Sequence, residues 1–232
     1  MRPTSAWLGL CMATLLTTAG AAGFGRTAAA QPMLYETRLP DGFAFVRYAN
    51  ALPGKVTVKP DYDQAVAVPE TGAERVTAYF VAEDVANRPV KLTVTDAQGS
   101  AEVTLRIPGG GYNTVLLRRD GAALQALVIP DKVEFNQVRA RLGFYNVIPG
   151  CANGGLAMDP GNQAIFSRQA PDVMASRSLN PASARVVASC TERKADALDL
   201  GRLEAGGQYS VWLMAPAGMP LSFLVRDRIA PR

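Results

Sequence analysis

The chain has 232 residues, 48% of them apolar and 19% charged, with 24 Lys plus Arg, 20 Asp plus Glu and no histidine. Without histidine, neither a Ser-His-Asp nor a Cys-His catalytic arrangement can be built, and no imidazole can hold zinc, copper or iron. The apolar fraction suffices for a packed core and excludes global disorder, while 21 Gly and 16 Pro suit short strands joined by turns better than long helices.

The first thirty residues read as a secretory signal peptide: Arg2, an uncharged apolar stretch from Pro3 to Gly25, and the small residues Ala28 and Ala30 ahead of Gln31-Pro32. Cleavage is expected after Ala30, and residues 1–30 are set aside from the fold. Cys11 follows Leu10 rather than a small residue, which argues against a lipoprotein site, and the lack of adjacent arginines points to export of the unfolded chain. Losing Arg2 and Arg26 from the 24 bases leaves 22 against 20 acids, a net +2. That is too little to suggest a nucleic-acid partner.

Beyond the leader, strand signals recur at short spacing. Phe43, Phe45 and Arg47 fall on one face of an early strand, with Ala44, Val46 and Tyr48 on the other. Val90, Leu92 and Val94 alternate with Lys91, Thr93 and Thr95. The turn Asp96-Ala97-Gln98-Gly99 then leads into Ala101, Val103, Leu105 and Ile107, so a hairpin with one dry and one wet face is expected. A further strand, Tyr112 to Leu117, follows Gly109-Gly110-Gly111. These glycines precede a strand rather than a helix, so they are turn residues and not a phosphate cradle. The uncharged stretch from Ala205 to Val225 is long enough for a membrane span, but Gly206, Gly207, Pro216, Gly218 and Pro220 divide it into two strands.

The sequence also matches itself at an offset of 96 positions. Asn50, Pro53 and Gly54 fall on Asn146, Pro149 and Gly150. Arg106, Gly110, Gly111, Val115 and Leu117 fall on Arg202, Gly206, Gly207, Val211 and Leu213, and Asp131 falls on Asp227. The expected architecture is all-β, two tandem antiparallel β-sandwich domains arising from an internal duplication, over residues 31–133 and 136–232.

Two cysteines follow the leader, Cys151 and Cys190, an even count for an oxidising compartment, and they are expected to pair. Such a bond would pin segment 152–189, whose Gly, Asn, Asp, Pro and Ser content reads as the loosest part of the chain. Close acidic pairs, Asp61-Tyr62-Asp63 and Glu83-Asp84, sit between strands and read as solvated loops. No serine stands in a Gly-x-Ser-x-Gly context, so no catalytic residue, cofactor or metal site is expected. Arg118-Arg119 is the nearest approach to a charge run. Residues 31–135 hold 11 bases and 13 acids, and residues 136–232 hold 11 and 7, an asymmetry that favours different faces for different partners. Tyr48, Tyr62, Tyr79, Tyr145 and Trp212 could stack against sugars, although most should be core.

The sequence Leu34-Tyr35, then Pro40-Asp41-Gly42-Phe43-Ala44-Phe45-Val46-Arg47 and Asn50, resembles the opening of the AlgF family, periplasmic accessory proteins of alginate O-acetylation. Tyr112-Asn113-Thr114-Val115, followed by Leu124-Gln125, is similar to a second stretch of that family. Departures are Tyr48-Ala49 before Asn50 and a second-half insertion bearing Cys151 and Cys190. The resemblance implies a non-enzymatic periplasmic adaptor for O-acetylation of an exopolysaccharide, with membrane and periplasmic O-acetyltransferase components as partners and the polysaccharide as a further candidate. It makes Arg47 the leading interaction residue, with a structural salt bridge as the equal alternative; Arg118 and Arg119 are further interaction candidates, with a solvated strand end as the alternative. Two other readings fit a periplasmic protein of this design, a pilus-type chaperone with two immunoglobulin-like domains and a carbohydrate-binding module.

Overall fold

The computed structural model describes residues 39–231; the expected leader, its cleavage site and Leu34-Tyr35 lie outside them. The first half runs β1 (Ala44–Asn50), β2 (Val56–Pro60), β3 (Val66–Val68), a 3₁₀ turn (Gly72–Arg75), β4 (Phe80–Ala82), β5 (Val90–Asp96), β6 (Gly99–Leu105), β7 (Tyr112–Asp120) and β8 (Ala123–Asp131). The second half runs β9 (Ala140–Asn146), β10 (Gly154–Met158), β11 (Ala164–Gln169), β12 (Val173–Leu179), β13 (Ser183–Cys190), β14 (Arg193–Lys194), β15 (Leu198–Arg202), β16 (Gln208–Met214) and β17 (Leu221–Arg226). The fold is all-β. No helix among the described residues is long and apolar enough to cross a membrane.

Each half contributes an inner and an outer sheet. The inner sheets are ordered β4-β1-β7-β8 and β12-β9-β16-β17; the outer ones are β3-β2-β5-β6 and β11-β10-β13-β14, with β15 also on β13. The inner sheets are mixed rather than purely antiparallel, because β1 pairs in parallel with β7, and β9 with β16. The chain leaves each first strand to build the outer sheet and then returns alongside it, which is what a parallel neighbour requires.

The register of these parallel pairs repeats at the 96-residue offset, with Phe45 opposite Tyr112 and Arg141 opposite Gln208. Turn hydrogen bonds repeat too. The Gly110 amide donates to the Phe43 carbonyl at 2.7 Å, and the Gly206 amide to Arg139 at 3.0 Å. Both glycines have φ of 75°, in the left-handed region that disfavours other residues.

Sheets stack in four layers with three apolar cores between them. In the first half, Ala44, Val46, Tyr48, Val115 and Leu117 of the inner sheet face Val58, Val90, Leu92 and Val94 of the outer. In the second half, Leu142, Phe144, Val211 and Leu213 face Leu156, Val186 and Ala188. The third core joins the inner sheets to each other, with Ala49, Leu116 and Ile129 against Tyr145, Trp212, Met214 and Phe223. Hence β1 and β9 are buried at every position, while outer strands such as β2 and β5 alternate buried and exposed. The two sandwiches are therefore joined by a core of their own. The chain end reinforces the joint, since the Tyr79 amide donates to the Arg228 carbonyl at 2.9 Å and the Ala230 amide to the Tyr79 carbonyl at 2.8 Å.

Segment 152–189 differs from the sequence-based expectation. It is not loose: it carries β10, β11 and β12 and most of β13, the counterparts in sheet order of β2 to β5. Its Gly and Ser content misleads because some of those residues serve close packing within strands. A Cβ on Gly154 would come within 2.6 Å of the Asn146 side chain.

Candidate ligand site at the junction of the halves

Arg47 projects from β1 into the core between the inner sheets, where none of its side chain reaches solvent. Its Nη1 donates to Asp227 Oδ1 at 2.6 Å, Nη2 to the Tyr145 hydroxyl at 2.8 Å, and Nε to the Thr114 hydroxyl at 2.8 Å. The guanidinium also lies over the Tyr79 ring, 4.4 Å from its centre. Such a planar cation, with five donors and a face that stacks on aromatics, is what lysine could not replace.

Asp131 closes the network. It accepts from Thr114 Oγ1 at 2.6 Å, Tyr145 at 2.7 Å and Tyr79 at 2.8 Å. Asp227 accepts in addition from Ser210 Oγ at 2.7 Å, and Ser210 in turn accepts from the Trp212 indole at 3.0 Å. Burial works against the Arg47 cation, yet Asp227 foremost, with Tyr145, Tyr79 and Asp131, holds its pKa well above the usual value. Burial pushes the Asp131 carboxyl up, against the pull of Arg47 and the three hydroxyls. Every partner of the guanidinium is thus itself hydrogen-bonded, which is what makes a buried charge tolerable.

Tyr79, Tyr145 and Asp227 of this network also line a cleft of about 280 Å³ between the halves, while Arg47 and Asp131 lie behind them. Tyr79, Tyr112, Tyr145, Tyr209 and Phe135 supply aromatic walls, and Lys132, Arg141, Arg226 and Arg228 supply cations. Gly143 occupies the position 96 residues after Arg47 and also lines the cleft. A Cβ there would come within 2.9 Å of the Met174 methyl, so the glycine keeps that wall open. Among the described residues no group of three or more Cys, Asp or Glu is arranged to hold a metal ion.

The three candidate interaction arginines are not gathered into one patch. Arg47 is buried structure. Arg118 and Arg119 lie further along β7 and point to opposite faces. Arg118 pairs at 2.7 Å with Asp172, in the turn before β12, and so bridges the halves. Arg119 pairs at 2.6 Å with Asp96, at the end of β5 in the first half. All three have carboxylate partners within the fold.

Cys151 and Cys190 form the expected disulfide, with Cα atoms 5.8 Å apart. It ties the turn after β9, in the inner sheet, to the end of β13 in the outer sheet. Sequence reasoning missed Asp131, Asp227, Thr114 and Ser210 as a working set. The signal was present: positions 131 and 227 are both Asp, and positions 114 and 210 both carry a hydroxyl, at the same 96-residue offset. No protein-family model matches this chain, and no curated protein matches it either.

Proposed function

We propose that this protein is a non-enzymatic periplasmic accessory protein that organises the O-acetylation machinery of an exopolysaccharide. The observation that carries the reading is the stretch Ala44-Phe45-Val46-Arg47 with Asn50, which resembles the AlgF family, on a chain with no histidine for a transferase triad. The motif residues have framework roles. Ala44 and Val46 fill the first core, Arg47 holds the junction network, and Asn50 pins the turn that follows β1. A partner would therefore meet other residues than the motif. Phe135 and Val138, 55% and 74% exposed on the linker between β8 and β9, offer the kind of apolar surface a protein partner covers. The repeated register and turns support descent of both halves from one ancestral sandwich.

The test is the acetyl content and yield of secreted polysaccharide from a strain lacking this gene, with a complemented control. Loss of acetyl at unchanged yield is expected; unchanged acetylation would overturn the reading.

A further inference from the structure

From the groups that its lining leaves uncommitted, we infer that the junction cleft binds a small aromatic carboxylate, a free organic acid with one ring. Four cations line the cleft, Lys132, Arg141, Arg226 and Arg228, against one carboxylate, Asp227, which Arg47 and Ser210 already occupy. Arg226 is paired with Glu204. Lys132 and Arg228 are exposed and have no ion pair among the described residues, so two chain segments each bring one free positive charge. Arg141 supplies a third, incompletely bonded cation. Its Nη1 donates to Glu134 at 2.6 Å and its Nη2 to the Ser176 hydroxyl, but its buried Nε has no hydrogen-bond partner among the described residues. The Arg141 side chain is 8% exposed and that of Glu134 72%, so Glu134 is the partner free to swing away. An incoming carboxylate takes its place on the guanidinium, whose planar fork matches two carboxylate oxygens.

The neutral polar groups of the lining are already engaged. The Tyr79 and Tyr145 hydroxyls both donate to Asp131, the Tyr209 hydroxyl accepts from the Glu204 amide, and the Gln208 side chain donates to the Glu134 carbonyl. A ligand rich in hydroxyl groups would give up its hydration there and find few partners. What remains beside the charges is apolar surface. Phe135, 55% exposed, follows Lys132 by three residues, and Ile229, 39% exposed, follows Arg228 directly, so each free cation has an apolar neighbour. Val133 and Met174 add aliphatic lining. The Phe135 ring stands at 60° to that of Tyr112 with centres 6.3 Å apart, an edge-to-face arrangement that a further ring can extend. At about 280 Å³ the cleft lies just below the ~300 to 1,000 Å³ of pockets for drug-sized ligands, which suits one ring with a short acid arm. The ligand class follows from these side chains alone and not from the proposed accessory role.

The experiment is calorimetric titration of the purified protein with hydrocinnamate, its neutral amide, gluconate and an acetylated Gly-Gly-Phe peptide with a free C-terminus, at low and high salt. Hydrocinnamate is expected to bind about tenfold or more tighter than the amide, which lacks the charge, and than gluconate, which lacks the ring. Its affinity should fall as salt rises. Lys132→Ala combined with Arg228→Ala should weaken hydrocinnamate by about tenfold and leave the amide unchanged, whereas Phe135→Ala should weaken both. Glu134→Gln should strengthen hydrocinnamate about two- to fivefold, because it removes the charge that competes for Arg141. Lys59→Ala, an exposed lysine on the outer sheet, should change nothing. These positions are exposed, so unchanged unfolding curves will separate lost binding from lost fold. Absence of hydrocinnamate binding, or indifference to the double variant, would overturn the site. Equal or tighter binding of the amide or of gluconate would overturn the ligand class, and equal or tighter binding of the peptide would overturn a free acid as the ligand. Unchanged or weaker binding by Glu134→Gln would remove Arg141 from the anion site. Polymer acetylation in the deletion strain is read separately, so failure of the cleft and failure of the accessory role give different results.

Discussion

The two halves share a backbone plan and divide the residues that use it. At positions where the plan itself is at stake they are the same or nearly so. Asn50 and Asn146 each end the first inner strand and turn their side chains back onto the following loop. The Asn50 amide donates to the Gly54 and Pro69 carbonyls, both at 2.9 Å, and Asn146 donates to Cys151 at 2.7 Å and Gln169 at 2.9 Å. Thr114 with Asp131 and Ser210 with Asp227 form the same hydroxyl–carboxylate pair in each half. Where the inner sheets face each other, the halves diverge: Arg47 against Gly143, Ala49 against Tyr145, Leu116 against Trp212. At each of these positions one half carries a smaller residue where the other carries a large or charged one, and Gly143 lines the cleft.

That division can be broken most severely at Arg47. Arg47→Met keeps much of the volume but leaves Asp131 and part of Asp227 buried without their cation. A loss of about 3–5 kcal/mol of stability is expected, read from urea unfolding. A loss below about 1 kcal/mol would mean that the network does not clamp the halves.

The disulfide is the next largest difference, since positions 55 and 94, its counterparts in the first half, are Lys and Val. Its cysteines are 39 residues apart, for which chain entropy sets an upper figure of about 4 kcal/mol. Cys151→Ser with Cys190→Ser should therefore cost up to that amount, and native protein should show no free thiol at either position. Two reactive thiols in the unreduced protein would remove the bond from the account.

The shared asparagines give the smallest and most symmetrical test. Asn50→Ala and Asn146→Ala each strip several hydrogen bonds from buried loop carbonyls and amides, at a cost of about 1–3 kcal/mol. Equal costs are expected if the two turns are equivalent. A much smaller cost at Asn146 would show that the disulfide at Cys151, in the same turn, holds that turn in its place.

Much of the fold could be read in advance because alternation in one chain segment reports a sheet face directly. Val90, Leu92 and Val94 were expected on a dry face, and all three are buried in the first core. Ala101 on the partner strand was expected there too, yet it is exposed, on the edge strand of the outer sheet. The inner strands were harder. In β1 both faces are buried, so Arg47, on the face it shares with Phe45, is buried as well. A charged residue on a strand normally marks solvent, and only the packing of the second inner sheet reverses that inference.

Periodicity, turn glycines and the 96-residue self-match were thus enough, by themselves, to determine an all-β chain with a repeated plan, and the parity of its cysteines pointed to the disulfide. Each of these is a local signal: one residue, its neighbours, or a spacing along the chain. That the sandwiches share a third core was decided only by the tertiary structure. So was the capture of Arg47 by Asp227, 180 residues away, and the opening of a basic, aromatic cleft beside Gly143. Those features depend on which faces meet, and the complementarity of two distant surfaces is written in neither one alone.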